Sequence, residues 1–528
     1  MSHIRRRFLA LFFVTGLLAI LARAAATPDF PWAEATVEQL QAAMAEGRLT
    51  SLALTQAYLD RIAAIDRAGP RLNAVIELNP DALEIAAAAD RERAAGRVRG
   101  PLHGIPVLIK DNIDTADRLH TTAGSLALLA AKPRQDSTVV ARLREGGAVL
   151  LGKTNLSEWA NLRSTHSISG WSGRGGQTRN PYVLDRNPSG SSSGSGAAVA
   201  ANLCAVAVGT ETDGSVVSPA SVSGLVGVKP TVGLVSRAGI IPISASQDTA
   251  GPMTRTVRDA AVLLGVLAGR DSRDAATQAI PENLPMDFTQ GLELPALKGA
   301  RLGLVRGAMG LTPKTEAVLA AVVAALRAAG AEVVDPVAVA SLKELDDPEF
   351  TVLLYEFKAG LNAYFAGLGT DAPVKSLEEL IAFNRAHAAA EMPYFQQELL
   401  EQAQAKGPLT EQAYLDALAK CRRLARTEGI DAVLAEHHLD ALITLTNGPA
   451  WLIDPVNGDS YTGGTSTLAA VAGYPSVTVP AGEIMGLPVG LSFTGPAWSE
   501  AKLLQLAVDF ERHTQARKPP EFLPTRQP

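Results

Sequence analysis

Apolar positions along the chain recur at two spacings, and each spacing predicts one type of element. The three- and four-residue spacing of an amphipathic helix begins at Val37, directly after a capping box that starts at Thr36. The same spacing predicts further helices at residues 51–67, 81–95, 136–145, 254–268, 314–329 and 499–510. Short apolar runs predict strands at residues 74–78, 107–109, 148–151, 225–228, 301–305, 332–334, 441–445, 476–479 and 489–493.

The order of these elements indicates the fold class. Strands alternate with helices over the first 270 residues, which is typical of an α/β fold whose sheet is covered by helices on both faces. Residues 341–438 are almost wholly helical in pattern and predict a lobe of helices beside the sheet. No linker rich in glycine, proline or serine follows residue 200, so we expect one large domain over residues 27–515 that contains this lobe. Residues 516–528 are expected to form a tail, frayed from Lys518 onward.

The N-terminus has the pattern of an export signal. Three arginines, Arg5 to Arg7, precede an apolar run of about fourteen residues, and Ala22-Arg23-Ala24 then offers small residues for cleavage. The apolar run is too short to cross a bilayer as a helix. Residues 1–26 therefore predict a cleaved signal peptide, and we expect an exported protein whose mature form is soluble and not membrane-bound. The pattern fits the Sec and the twin-arginine routes equally.

Composition and charge exclude several classes of function. The formal net charge is −6, which offers no basic surface for nucleic acid, so we expect no nucleic-acid partner. The chain has two cysteines, Cys204 and Cys421, and eight scattered histidines, none in a metal-binding motif. A phosphate-binding glycine loop is also absent from the sequence. We therefore expect an activity that uses neither a metal nor a cofactor.

Residues 188–219 are the strongest candidate for a functional segment. They open with a glycine–serine run at 189–196, turn apolar through 197–209 and close on the polar turn 210–215. A glycine–serine run on its own is typical of a flexible linker. A linker does not lead into a run of small apolar residues, whereas two hydroxyl-rich turns flanking a buried element can hold serines against each other. Lys110 ends a predicted strand, where the simplest interpretation is a solvated end of the strand.

These residue types together allow nucleophilic catalysis by serine. A serine hydroxyl becomes a good nucleophile when a base takes its proton. Lysine can act as that base if its pKa falls from about 10.4 to about 7, and burial at the end of an apolar strand supplies such a shift. A second serine between base and nucleophile can carry the proton, and a neighbouring glycine lets backbone N–H groups face the developing oxyanion.

The motifs in this region resemble the amidase signature family. Lys110, the segment Gly190-Ser191-Ser192-Ser193-Gly194 and the segment Gly209-Thr210-Glu211-Thr212-Asp213-Gly214-Ser215 carry the resemblance. It continues through residues 227–231, 248–253, 473–482 and 486–490, and it covers residues 38–510. Within the family, the second serine segment and residues 234–244 look most like the bacterial peptide amidases.

The resemblance implies a fold and a role for each matched residue. The implied fold is a large mixed β-sheet covered by helices on both faces. Ser215 is implied as the acylated nucleophile, Ser191, on a cis peptide bond, as the proton shuttle, and Lys110 as the base. The implied oxyanion donors are the backbone N–H groups of Thr212, Asp213, Gly214 and Ser215. Ser192 and Ser193 are expected to support or pack against this site.

One departure from the family pattern bears on the substrate. Many members have an arginine two residues after the nucleophile, and in some it holds a substrate carboxylate, whereas this chain has Val217, which is a candidate substrate contact. We therefore expect a neutral amide on a larger, less polar group. The loop 164–188 is expected to form a pocket wall, with Trp171 either a substrate contact or an ordinary packing residue.

The resulting expectation is an exported amidase without a cofactor. It hydrolyses primary carboxamides, with C-terminal amides of peptides as the expected substrates, to carboxylate and ammonia through a Ser215 acyl-enzyme. Aryl or fatty acylamides are an alternative substrate class. Two further alternatives are a non-catalytic binding protein and one subunit of a glutaminyl-tRNA amidotransferase, and the export signal disfavours the second of these. The sequence does not predict an oligomeric state.

Overall fold

The computed structural model describes residues 30–306, 312–369 and 372–526. The predicted signal peptide, residues 1–26, lies outside these ranges. Where the chain is described, no helix combines the length and the apolar character needed to cross a membrane.

The centre of the molecule is an 11-stranded sheet. Its strands are β1 Val75–Leu78, β2 Pro106–Lys110, β3 Val149–Thr154, β6 Val206–Glu211, β7 Val226–Lys229, β8 Thr249–Thr254, β9 Arg301–Val305, β10 Glu332–Val337, β11 Ala441–Leu445, β12 Ser476–Ile484 and β13 Leu487–Thr494, and a separate hairpin pairs β4 Trp171–Ser172 with β5 Gly176–Gln177. The order across the sheet is β1-β3-β2-β6-β8-β7-β12-β13-β11-β9-β10. The sheet is mixed, because β2 pairs in parallel with β3 and β6 while β6 pairs antiparallel with β8.

Helices cover both faces of this sheet. They are α1 Val37–Ala45, α2 Ser51–Arg61, α3 Ala82–Ala94, α4 Thr138–Glu145, α5 Ser193–Ala200, α6 Val217–Val222, α7 Val257–Leu267, α8 Pro313–Ala328, α9 Asp346–Leu368, α10 Leu377–Ala386, α11 Ala388–Glu391, α12 Glu398–Gln404, α13 Gln412–Arg422, α14 Asp431–His437, α15 Thr467–Ala472 and α16 Glu500–Thr514. Every residue of β2, β3, β6 and β8 is buried, as expected for strands covered on both faces. The predicted α/β fold with a large mixed sheet is confirmed.

Local signals explain the first helices. The capping box at the start of α1 is present, because the Gln39 N–H donates to Thr36 Oγ1 at 3.2 Å and the Thr36 N–H donates to Gln39 Oε1 at 2.9 Å. After α2 the chain continues as a π-helix, Ile62–Arg67, so the predicted helical stretch 51–67 is confirmed at both ends.

Residues 341–438 are mostly helical, as predicted, and contain α9 to α14. The long helix α9 contributes to two apolar clusters outside the main core, one through Phe357, Leu361 and Phe365 and the other through Val352 and Tyr355. Both clusters also contain residues from outside the lobe, such as Trp159 and Ile241 in the first and Val305 and Leu442 in the second, so the helical lobe packs directly against the sheet domain.

The expectation of a frayed C-terminal tail is wrong for the described part of it. The Phe522 N–H donates to Pro181 O at 3.1 Å, and the Leu184 N–H donates to Leu523 O at 2.8 Å. These bonds tie the segment to the loop before the glycine–serine run. A sequence rich in proline and charge gave no periodic signal for this pairing, because its partner lies more than 300 residues away in the chain.

Candidate active site

Residues 188–219 do not form a linker, because all of their elements are buried. Helix α5 begins at Ser193 inside the glycine–serine run, and each of its residues is buried. Small residues are required there: a Cβ at Gly194 would lie 2.2 Å from Ala74 O. Strand β6 follows, and the turn after it leads into α6, so the two hydroxyl-rich turns flank one buried α–β unit.

Lys110 is the last residue of β2, and its side chain is fully buried. Its Nζ lies 2.7 Å from Ser191 Oγ, 2.8 Å from Thr210 Oγ1 and 3.2 Å from Thr210 O. The parallel pairing of β2 with β6 brings Thr210 beside the lysine. The interpretation of Lys110 as a solvated end of a strand is therefore wrong.

The surroundings of Lys110 fit a neutral amine. A neutral amine has two N–H donors and one lone pair, and these match the two Thr210 acceptors and the Ser191 hydroxyl. Burial lowers the pKa of Lys110 to about 7, against the opposing effect of the Asp248 and Glu211 carboxylates. A large share of this side chain is therefore deprotonated near neutral pH.

The structure brings Ser191 and Ser215 to one cavity of about 480 Å³. The peptide bond between Gly190 and Ser191 is cis, as the resemblance implied. The Ser192 N–H donates to Ser215 O at 3.1 Å, which joins the two hydroxyl-rich turns directly. Lys110 lies behind Ser191, so the three predicted residues meet with the lysine buried and both serines at the cavity.

The segment Thr212–Ser215, which we call the oxyanion loop, forms one wall of this cavity. Within the described ranges, none of its four backbone N–H groups donates a hydrogen bond to another protein group. Gly214 adopts a φ of +77°, in the left-handed region that favours glycine. Side chains on both sides fix the loop: Thr212 Oγ1 donates to Asp248 Oδ1 at 2.6 Å, and Glu211 accepts the N–H groups of the first turn of α6.

The neighbouring serines have the supporting positions that were expected. Ser192 Oγ donates to Thr210 O at 3.0 Å and accepts the Thr210 N–H at 3.1 Å. Ser193 Oγ donates to Ser189 O at 2.6 Å. Sequence reasoning missed two polar neighbours of the lysine, Thr210 and Asn112, whose Nδ2 donates to Thr210 Oγ1 at 3.0 Å. Thr210 lies inside a segment that carries the family resemblance, and Asn112 lies two residues after Lys110, so both would have been found by pairing the end of β2 with the end of β6.

The two residues predicted to contact substrate do not line the cavity. Trp171 packs against Phe395, with ring centroids 5.1 Å apart, and under the Arg163 guanidinium, and it borders a separate surface groove. Val217 is buried at the start of α6, and its side chain takes no part in the cavity wall. For Trp171 the packing alternative therefore holds, and the expectation of a substrate contact at Val217 is wrong, because both residues pack the interior.

Other residues form the substrate-facing walls. The predicted pocket wall 164–188 contributes Ser164, Ser167 and Ser169, while Trp451 and Tyr461 come from the loop before α15, which sequence reasoning did not single out. The acidic side chains on the walls are Asp213 and Asp459, and no lysine or arginine is among the described lining residues. Asp459 is bound by Ser169 Oγ at 2.6 Å and by Trp451 Nε1 at 3.0 Å. In the described part of the chain, no three His, Cys, Asp or Glu side chains are grouped to hold a metal ion.

The sequence model of the Amidase family matches residues 53–504. The chain belongs to the amidase family. A crystal structure of the native peptide amidase from Stenotrophomonas maltophilia is 56% identical, covers 94% of this chain and 100% of that chain, and superposes with a TM-score of 0.90. A structure of the peptide amidase PAM with the competitive inhibitor chymostatin gives 56% identity, 93% and 100% coverage, and a TM-score of 0.91.

Two curated relatives also align over most of their length. An Arabidopsis thaliana protein that carries the name probable amidase is 45% identical over 499 residues, 93% of this chain and 92% of that one. A glutamyl-tRNA(Gln) amidotransferase subunit from Pseudomonas syringae pv. syringae is 36% identical over 500 residues, 91% and 98% of the two chains. Family and neighbours show that the chain is a hydrolase that acts on amide C–N bonds.

Proposed function

We propose that the protein hydrolyses primary carboxamides, with C-terminal amides of peptides as substrates, through an acyl-enzyme on Ser215. The observation that carries the proposal is the 2.7 Å contact of the buried Lys110 Nζ with Ser191 Oγ beneath the cavity that holds Ser215. A buried amine with a pKa near neutral, in contact with a hydroxyl that faces the nucleophile's cavity, has the properties of a base that acts through a shuttle.

In the acylation step Ser215 Oγ attacks the amide carbon. Its proton passes to Ser191 Oγ, while the Ser191 proton passes to the Lys110 amine. The tetrahedral intermediate places its negative oxygen against the free N–H groups of the oxyanion loop. When the C–N bond breaks, the proton returns from Lys110 through Ser191 to the leaving nitrogen, and ammonia departs.

Water completes the cycle at the same residues. A water molecule attacks the Ser215 ester while Ser191 and Lys110 accept its proton. The second tetrahedral intermediate collapses to the carboxylic acid, and the proton held at Lys110 returns to Ser215 Oγ. The base is neutral again at the end, so the reaction consumes only amide and water.

The volume of the cavity and the charge of its walls favour a peptide amide over a smaller or negatively charged substrate. A volume of about 480 Å³ accommodates one or two amino-acid residues beside the amide. Its described walls carry the acidic side chains Asp213 and Asp459 without a lysine or arginine, so a substrate with a carboxylate next to the amide has no counter-ion there. The lack of a lysine or arginine among the described lining residues, and not the identity of Val217, is therefore the reason to expect a neutral amide as substrate. The likeness to a peptide amidase at 56% identity supports the same choice over the tRNA-dependent amidotransferase, which is 36% identical.

The test is an ammonia-release assay across peptide amides, free amino acid amides, aryl amides and fatty amides. We expect the highest kcat/KM for peptide amides and no release by Ser215→Ala, which should remain folded. A preference for aryl or fatty amides would contradict the substrate class while leaving the amidase activity in place. Full activity of Ser215→Ala would contradict the mechanism.

We also propose that the protein is exported and that residues 1–26 are removed. The proposal rests on the arginine, apolar and small-residue parts of the N-terminal sequence. Intact-mass measurement of protein from the periplasm or medium should show a chain that starts after Ala24 or Ala26. Uncleaved protein confined to the cytoplasm would contradict it.

A further inference from the structure

The helical lobe reaches the oxyanion loop through the first turn of α9. Glu349 lies in that turn and is 7% exposed. Gln247 Nε2 donates to Glu349 Oε1 at 2.7 Å and to Thr212 O at 3.4 Å. One turn further along α9, Leu353 lines the substrate cavity. The lobe therefore contacts both the loop and the space where substrate binds.

The oxyanion loop contains a buried oxygen atom that lacks a donor. Asp213 Oδ2 accepts a hydrogen bond from Thr467 Oγ1 at 2.7 Å. Asp213 Oδ1 is buried and has no hydrogen-bond partner among the described residues. Because this atom has almost no accessible surface, it cannot bind substrate from the cavity. Buried acceptors are nearly always satisfied. Asp213 Oδ1 therefore needs a hydrogen bond from a neighbouring group that carries a proton in addition to the hydrogen bonds already described.

The Ser466 hydroxyl lies near the Asp213 carboxylate but makes no hydrogen bond to Oδ1, which leaves a second carboxyl to supply the donor. The Glu349 side chain lies within hydrogen-bonding reach of the Asp213 side chain. Glu349 Oε1 is occupied by Gln247, which leaves Oε2 for a proton. A protonated carboxyl donates one hydrogen bond, whereas two ionised carboxylates at this distance repel each other.

We propose that Glu349 is a positioning residue that carries a proton and donates it in a hydrogen bond to Asp213 Oδ1, so that the helical lobe holds the oxyanion loop in its active geometry. This deepens the proposed function and rests on it. Glu349 contacts no reacting atom and acts through Asp213 on the four N–H groups of the loop.

The charges around the pair agree with this protonation. Burial, followed by the Asp213 charge, raises the pKa of Glu349 well above that of an ordinary carboxyl group. Asp346 on the same helix adds a further negative charge, and Cys421 of α13 also faces Glu349. Lys229 is the cation whose charge acts on Asp213. Ionisation of Glu349 at alkaline pH therefore leaves two facing carboxylates, which should displace the loop.

The experiment compares E349Q and E349A with the wild-type enzyme. Glutamine keeps a donor for Asp213 and an acceptor for Gln247, so E349Q should keep kcat within about threefold and lose the wild-type decline at alkaline pH. Alanine removes the donor, so E349A should lower kcat about tenfold or more with a smaller change in KM, short of the ~10²–10³-fold loss on removing an oxyanion donor outright.

A matched control variant and an infrared measurement distinguish a role of Glu349 in positioning the oxyanion loop from a general effect on protein stability. E356Q replaces a buried carboxyl two turns along the same helix, whose Oε1 accepts from Tyr414 Oη at 2.7 Å and whose Oε2 accepts from Ser244 and Ser246; glutamine keeps one of these acceptors, and the variant should leave the alkaline decline unchanged. The infrared difference between wild type and E349Q at neutral pH should contain the band of a protonated carboxyl. This band reports on Glu349 even if no amide tested is a substrate, so its outcome is independent of the proposed function. Absence of the band, or wild-type kcat in E349A, would overturn the proposal.

Discussion

Lys110 carries the chemistry of the site because its amine is buried among hydroxyl and carbonyl oxygens, without an ion-pair partner among the described residues. A lysine paired with a carboxylate would stay protonated and could not accept a proton from serine. Here the nearest partners are the neutral oxygens of Thr210 and Ser191, and desolvation outweighs the more distant Asp248 and Glu211 charges.

The first prediction concerns the pH dependence of kcat/KM. Lys110 must be neutral to act as the base, so activity should rise as pH increases through about 7 and stay high until the alkaline decline expected from the ionisation of Glu349. Lys110→Ala should remove this limb and lower kcat/KM by about 10²–10⁴-fold. Lys110→Arg should be equally inactive, since a guanidinium stays protonated. Stopped-time ammonia assays from pH 5 to 10 measure both effects, and an unchanged limb in Lys110→Ala would refute the assignment.

Asp248→Asn should shift the rise of kcat/KM with pH to lower pH. The Asp248 charge favours the protonated form of Lys110, so its removal lowers the lysine pKa further. Asparagine Oδ1 can still accept the Ile243 and Ser244 N–H groups that bind Asp248 Oδ2, and its Nδ2 can donate to Thr212 Oγ1 in place of the bond that Asp248 Oδ1 accepts, so the oxyanion loop keeps its support. Asp259→Asn is the matched control, because Asp259 is also a buried acid but bonds to Val37 and does not act on Lys110. A limb that shifts upward, or shifts equally in the control, would contradict this account.

Individual functional residues could be predicted from the sequence where they lie within contiguous motifs. Lys110, Ser191 and Ser215 are brought together as the motifs indicated. The sequence left open whether Trp171 contacts substrate or packs inward, because a tryptophan in a polar loop gives no sign of either; it packs against Arg163 and Phe395.

Elements with a regular period were predictable, and the cavity walls were not. Strand β2 and helix α1 follow their apolar patterns closely. Strand β8 was missed because Gly251 and Pro252 argue against a central strand, although Pro252 pairs opposite Val208 there. The loop before α15 has no period at all, and Trp451 is fixed in it by a bond to Asp459 that depends on the whole fold.

The two tryptophans should therefore differ in their effect on KM. Trp451→Ala should raise KM for peptide amides several-fold, because Trp451 lines the cavity, and it should also lower the unfolding temperature, because its ring is buried and donates to Asp459. Trp171→Ala should lower the free energy of unfolding by ~3–5 kcal/mol, since it removes a buried ring from a packed cluster, and should leave KM nearly unchanged. Michaelis kinetics and thermal unfolding of both variants test this. A large KM effect confined to Trp171→Ala would restore it as a substrate contact.

For the whole molecule, the sheet order was beyond sequence reasoning. Strand β8 lies between β6 and β7, and β12 and β13 join the strands before residue 260 to those after residue 300. The pairing of β7 with β12 connects segments more than 200 residues apart, and no local pattern specifies which strands become neighbours. The fold class needed only the alternation of strands and helices, so it was predictable.

Acidic side chains whose pKa the fold raises should make the free energy of unfolding fall as pH rises. Glu511 is one case: burial raises its pKa from 4.5 to about 7, while the Val257 N–H donates to it. Below pH 4.5 both folded and unfolded states hold the proton; as pH rises the unfolded state releases it first, and the loss of stability is complete above about pH 7.

The Glu511→Gln variant should not show this decrease in the free energy of unfolding as pH rises. Relative to wild type it should gain up to ~3 kcal/mol in free energy of unfolding between about pH 4.5 and 7 and hold that gain at higher pH. Urea unfolding at a series of pH values measures the difference, with Glu436→Gln, an exposed change, as the control. A gain that is the same at pH 4 and pH 8 would show that Glu511 does not titrate as described.

The proposed mechanism depends most on Ser215 as the nucleophile, and covalent labelling tests that directly. Wild-type protein treated with a serine-directed fluorophosphonate and analysed by peptide mass spectrometry should carry one adduct, on Ser215. The adduct should be absent from Ser215→Ala and form much more slowly in Ser191→Ala and Lys110→Ala. No adduct on the wild-type protein, or an adduct on another serine that persists in Ser215→Ala, would contradict the mechanism.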